Sequence, residues 1–440
     1  MDKPGLLDLA LAPLTWLERA RGWTRVGLLF VYFLTLLVVG VLGWRWMQLW
    51  NLPDIGEPFD VAAFEKVVVP DKDNAMIAYG EASKLLISSG SSRYAVTSQK
   101  VWSVLDWDAA DPEVRRWVDD NRPAMEIWLN ATRLPDAMKD RAEQENGIRA
   151  GQLLHDLAEF GNLAILESSK LREAGDLEGA WRYLEAVLRT SRHAGRHGGA
   201  MATLIGYRVL TSVRPEVDAW MLDPGVTQEM LRRAVRGVEA CRSMTPLVSE
   251  MVKSEYLIRK ASLDDLDWSR TWLRRVNWGG DLNDRFAPLV EAERFVSNEP
   301  EKTRRLLDLT TAGWLAQCDR PPSERARLIS RNYVIFEVDS NTPLVMKSIS
   351  PLELERVAQS SLYHALGYDN PTSMHWIDSN AAHLDALVLR MAERGYTLEH
   401  GRPPRTYADL LGSYLQALPN GIAAGDAVTA IPETPGAVEP

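Results

Sequence analysis

Between Arg25 and Arg45 the chain runs VGLLFVYFLTLLVVGVLGW, Val26–Trp44, nineteen residues without one charge. At ~1.5 Å per residue a helix of that length just crosses a hydrocarbon core of ~30 Å. A helix also satisfies its own backbone hydrogen bonds there, which few other structures do. Trp44, Trp46 and Trp50 follow as an interfacial aromatic belt. A cleaved signal peptide fits less well, because its apolar core runs ~7–15 residues and an Ala-x-Ala type site should follow. The run therefore predicts a retained transmembrane anchor that meets the lipid bilayer through residues 26–50.

Flanking charge sets the orientation. Arg19, Arg21 and Arg25 precede the span, whereas only Arg45 follows it before Asp54, Glu57 and Asp60. The positive-inside rule then predicts a cytoplasmic N-terminus, with about 390 residues on the other side. Upstream, Leu6, Leu9, Leu14 and Leu17 stand near helical spacing. Residues 1–25 read either as an amphipathic segment on the inner membrane surface or as a loosely ordered tail.

The large remainder is of ordinary composition for a folded protein, 25% charged and 46% hydrophobic over 440 residues. That length accommodates two or three domains or one extended helical body. A net charge of −10 without a basic block argues against nucleic-acid partners. Cys241 and Cys318 are the only cysteines, too few for a disulfide scaffold or a cysteine zinc site. Two free thiols or one disulfide both remain compatible with them. Tryptophan is abundant, 16 residues against 8 phenylalanines.

Helix punctuation organises the rest. Residues 51–110 read as a linker with three prolines leading into a first helix capped by Asp73–Asn74. A central helical region, 111–262, opens at Asp111–Pro112, and Pro123 must interrupt its first helix. Leu153, Leu154, Leu157, Gly161, Ala164 and Leu171 then recur at helical intervals up to Gly175, and Asp176 caps the next helix. Gly198–Gly199 closes that one, a third runs to Leu222, Asp223–Pro224 breaks it, and a fourth begins near Thr227. Short joints predict antiparallel packing, as a bundle or irregular array. A second helical region, 263–418, includes helices near 284–296, 299–317, 350–366 and 377–400. YVIFEV (Tyr333–Val338), with Leu344–Met346, allows one hairpin within 333–346. Residues 419–440 read as a disordered tail. The fold class expected is mainly α, with a single N-terminal membrane helix and at most one small hairpin.

Chemistry is sparsely signalled. No GxSxG elbow, phosphate loop, GxGxxG or HExxH occurs. The best constellation is RTSRHAGRHGG, where His193 and His197 stand one helical turn apart. His155 and Glu159 repeat that spacing on the preceding helix, so convergence of the two faces would offer four metal ligands. Arg189, Arg192 and Arg196 oppose a cation there and favour a solvated basic helix end. The run Asp264, Asp265, Asp267 lacks calcium-loop spacing and reads as a solvated loop or cap cluster. Trp268, Trp272 and Trp278, interleaved with Arg270, Arg274 and Arg275, read as core, as a partner or membrane surface, or as a ligand pocket. Glu399 and His400 are adjacent on a helix and point about 100° apart, so they do not form an acid/base pair.

YTLEHGRPPRTYADLLGSYLQALP (Tyr396–Pro419) resembles a C-terminal motif of uncharacterised, membrane-anchored helical proteins of planctomycete bacteria. Tyr396, Glu399, His400, Gly401, Pro404, Asp409, Leu410, Tyr414, Leu415 and Pro419 carry it. VPDKDNAMIAYGEA and GDLEGAWRYLEAVLRTSRHA look similar to other parts of those proteins. The resemblance implies a bacterial inner (cytoplasmic) membrane protein and supplies no catalytic residues or cofactor. The motif also distantly resembles the C-terminal region of pseudopilins, but Gly27 replaces their glutamate and Asn420-Gly421-Ile422 their Asp-Pro-Phe. The reading is a membrane-anchored extracytoplasmic helical protein with a structural or protein-interaction role and protein partners of unknown identity. A metal-binding enzyme or sensor, or a pseudopilin-like secretion component, are the alternatives.

Overall fold

A computed structural model describes residues 21–50, 52–89, 107–139, 147–264, 292, 295–321, 328–331, 334–337, 370–419 and 421–428. The chain is mainly helical and divides into two units. One comprises Met1–Pro58, Ser262–Gly313 and Leu328–Tyr368, the other Phe59–Ala261, Trp314–Arg327 and Asp369–Pro440.

The first unit carries the apolar helix, α1 (Trp23–Leu49), 27 residues with none buried. Its C-terminal end is held by charge. Arg45 donates to Asn298 Oδ1 at 2.8 Å and lies 4.0 Å over the Phe295 ring. These two residues lead into a later helix, Glu299–Leu315. From that helix Arg305 donates to the Leu52 carbonyl at 2.7 Å, and Arg304 pairs with Asp54 at 2.7 Å, Glu301 at 2.8 Å and Asp308 at 2.9 Å. The unit also holds the hairpin, β1 (Leu328–Arg331) antiparallel to β2 (Val334–Glu337), with Ile329 opposite Phe336. Within the strand expected at Tyr333–Val338, Val334–Glu337 is present, and its partner is the preceding segment. Leu344–Met346 lies outside the described residues.

In the second unit local chemistry fixes several helix ends. The side chain of Asn74 accepts from Met76 N at 3.1 Å to open α2 (Ala75–Leu85), and donates to the Met138 carbonyl at 2.7 Å. Asp111 caps α3 (Pro112–Asp120), and Pro123 sits in the first turn of α4 (Arg122–Ala131), so the expected interruption falls at Asn121. The side chain of that buried asparagine ties the joint to the segment after α2: it accepts from Ile87 N at 2.8 Å and donates to the Trp117 carbonyl at 2.9 Å. After α5 (Gly147–Glu173), Gly175 turns the chain at φ 82°, a conformation open to glycine, and Asp176 caps α6 (Leu177–Gly195). α7 (Ala200–Leu222) follows, then α8 (Gln228–Ser243) capped by Thr227, α9 (Val248–Asp264), and, beyond α10 (Glu299–Leu315), α11 (Asn370–His400).

α5, α6 and α7 pack on one another, α2 packs on α4, and α11 covers α7 and α8. Gly206 permits the close crossing of α6 and α7, because a Cβ there would meet the Ser191 carbonyl oxygen at 2.5 Å. The tryptophans supply much of the core: Trp117, Trp128 and Trp220 are fully buried, with Trp128 stacked on Phe160 at 5.9 Å between ring centroids. Burying such side chains contributes on the order of 2–3 kcal/mol each.

Residues 421–428, assigned by composition to a disordered tail, instead fold back. Val428 N donates to the Arg405 carbonyl and Ala408 N to the Ala424 carbonyl, at 3.3 and 2.8 Å, while Ile422 and Val428 pack on the core. Two apolar side chains and these backbone bonds dock a stretch that composition alone marks as loose. Residues 429–440, the upstream leucine segment, the tryptophan-rich run 268–278, most of the helix expected near 284–296 and the helix expected near 350–366 lie outside the described residues.

Candidate functional site

The four candidate metal ligands occupy three separate environments. His155, two-thirds exposed on α5, stands 3.6 Å from Glu159 in the expected one-turn pair. Glu159 is already engaged: its carboxylate accepts from Ser88 Oγ at 2.8 Å, Ser89 Oγ at 2.9 Å and Ser89 N at 3.2 Å, so it fastens the chain that leaves α2. His193 is fully buried, 2.7 Å from the Tyr79 hydroxyl through Nδ1. His197 faces Asp136 at 3.2 Å. The expected turn between His193 and His197 requires a helix that continues through both. α6 stops at Gly195 and His197 takes φ 55°, which sends the two rings apart. Among the described residues no three His, Cys, Asp or Glu gather as a metal ion would need.

The basic run is not a solvated helix end either. Arg192 and His193 are buried because α6 is packed by both its neighbours, α5 and α7. Arg192 donates to Ser191 Oγ at 3.2 Å and Thr245 Oγ1 at 3.5 Å, and burial pulls its pKa down to about 10. Burial, with the charges of Arg189 and Arg196, lowers the His193 pKa to about 4, so this imidazole is neutral in the folded state. Arg196 instead pairs with Asp136 at 2.7 Å. Cys241 and Cys318 are separate buried thiols, and burial pushes the Cys241 pKa up to about 12, the reverse of an activated nucleophile.

The terminal motif turns out to be a clasp. Gly401 takes φ 67° to end α11, and the His400 ring stacks on Tyr396 at 3.9 Å. Glu399 points elsewhere, to Arg232 at 3.1 Å and to the Tyr414 hydroxyl. Tyr414 also accepts from Gln228 at 2.9 Å, and its ring lies where a Cβ on Gly395 would sit, 2.5 Å from Cε1. Tyr396, Glu399, Gly401 and Tyr414 are therefore explained by fastening the segment after α11 onto α8.

Among the described residues of the second unit, cavities that can admit a ligand include the following two. The smaller, about 210 Å³, is lined by His197, Met138, Leu257 and other residues from around α9. The larger, about 540 Å³, lies among α4, α6, α7 and α8. Trp181 and Trp220, with ring centroids 4.7 Å apart, line it together with Leu129 and Met230, and its charged lining is four arginines and two glutamates. Sequence spacing could not have assembled this set, since its members come from four helices. The only hint was the alternation of Glu178, Arg182, Glu185 and Arg189 along one helix.

No protein family matches the chain, and neither curated proteins nor solved structures provide a match.

Proposed function

We propose that the chain is a single-pass membrane protein whose helical body lies outside the cytoplasm and serves a structural or protein-interaction role. The observation that supports it is α1: 27 residues, about 40 Å of helix, with no buried side chain and with Trp44, Trp46 and Trp50 exposed at its end. Exposing so much apolar surface to water would cost on the order of tens of kcal/mol, a cost that vanishes in lipid. Arg21 and Arg25 ahead of the span favour a cytoplasmic N-terminus in a bacterial inner membrane. On this reading the chain stands with the membrane-anchored planctomycete proteins it resembles, and Arg45, Asp54, Arg304 and Arg305 are the fastening between anchor and body.

The test uses full-length protein in sealed inner-membrane vesicles of known orientation. The protein should resist alkaline carbonate extraction, keep its Met1 peptide, and lose the body to protease only when the extracytoplasmic face is exposed. Extraction by carbonate removes the anchor; processing ahead of the span at Gly22 would leave the helix in place and favour the pseudopilin-like alternative; digestion from the cytoplasmic face reverses the topology.

A further inference from the structure

The larger cavity in the second unit has an uneven balance of charge. Glu178 is paired with Arg233, and Glu185 with Arg189 at 3.1 Å. Arg133, just beyond α4, and Arg182, on α6, line the same cavity. Neither lies within ion-pair distance of a carboxylate among the described residues. The lining thus carries two guanidinium groups more than its carboxylates can neutralise, in a chain whose net charge is −10. A concave wall of low dielectric concentrates such a field. The apolar side is aromatic, with Trp181 backed by Trp220, and the volume of about 540 Å³ falls in the range of small-molecule sites.

We propose that this cavity binds a small organic anion with a planar apolar portion. Arg133 and Arg182 take the carboxylate or another flat oxyanion, which the guanidinium fork matches with two parallel hydrogen bonds. The ring rests against Trp181. The pairs Arg189–Glu185 and Arg233–Glu178 keep their neutralised walls in place, and Gly237 makes room for one of them, since a Cβ there would sit 3.0 Å from the Glu185 carboxyl carbon. A fully apolar ligand would leave the two arginines without a partner, and an inorganic anion would leave the tryptophan uncovered. The combination selects for both features in one molecule.

The experiment is calorimetric titration of full-length protein in detergent, against a protein-free detergent blank, with 2-naphthoate and its uncharged isostere 2-naphthamide. Naphthoate should bind saturably at one site, and naphthamide about tenfold or more weakly. The double variant Arg133→Gln, Arg182→Gln should weaken naphthoate by about tenfold or more and leave naphthamide unchanged. Both arginines are exposed, so the variant should keep the parental unfolding temperature. Arg208→Gln, an exposed charge change outside the lining, should bind as the parent does. Equal binding of the two ligands, no saturable naphthoate binding at millimolar concentration, or naphthoate binding indifferent to the double variant each overturns the proposal.

Discussion

The collar at the end of α1 and the tryptophan core of the second unit are both helical, yet opposite forces hold them. In the collar, Arg304 gathers three carboxylates while remaining a third exposed, and Arg45 and Arg305 reach backbone or amide oxygens. In the core, Trp117, Trp128 and Trp220 are out of water altogether. Charge networks of this kind specify geometry but contribute little energy and are screened by salt. Aromatic burial contributes much energy, indifferent to salt. One fold class therefore contains a region that should soften with ionic strength and one that should not.

The comparison can be broken most sharply at Trp128. Trp128→Ala should destabilise the second unit by about 3–5 kcal/mol, measured by denaturant unfolding, because the stack with Phe160 leaves a cavity. A loss under 1 kcal/mol would mean that the aromatic core is not what holds the region. Acid separates the two regions next. His193 and His383 have folded pKa values lowered to about 4, both by burial first, with nearby arginine charges reinforcing it. Their unfolded forms take up protons near pH 6.5, so the stability they contribute falls as pH drops from about 6.5 to about 4, on the order of 3 kcal/mol for His193. Asp54 and Glu301 of the collar are held below the ordinary carboxylate range, Arg304 being the first cause. Their contribution stays whole down to the ordinary carboxylate range and is lost as pH falls from there through their lower folded values. Unfolding curves across pH 7 to 3 should show two steps, and His193→Gln should shrink the upper one alone.

At the α6–α7 crossing, Gly206→Ala should cost about 1–3 kcal/mol, since the added carbon meets backbone rather than a movable side chain. A neutral result would show that the crossing has slack. The smallest effect is expected in the collar itself: Arg304→Ala should cost about 1 kcal/mol or less, and molar salt should erase the difference from the parent. A salt-resistant loss there would place the collar with the core rather than apart from it.

Much of the fold was written locally. Asn74, Asp111, Asp176 and Thr227 cap the helices they were expected to cap, and Gly175 and Asp223 end those expected to end. Caps act within a few residues, so a linear reading finds them. The hairpin partner Leu328–Arg331 escaped because LISR shows no alternation that distinguishes a strand. The histidine cluster dissolved for a reason also local, a helix that ends two residues before His197. Arg133 and Arg182 were unreadable as a pair, because they stand 49 residues apart and only the tertiary fold brings them to one cavity. Burial of Arg192 was likewise invisible: its neighbours in sequence are polar, and the walls that cover it come from elsewhere.

The bonds from Arg305 to the Leu52 carbonyl and from Arg304 to Asp54 have a mechanical side. Five residues of extended chain from Leu49 to Asp54 reach at most about 18 Å. With α1 seated in a bilayer, the first turns of α10 ride at that height, gripped rather than trailing on a leash. Because the pairs that grip it are exposed, that height should loosen as salt rises, and α10 is then tethered only by the length of the chain.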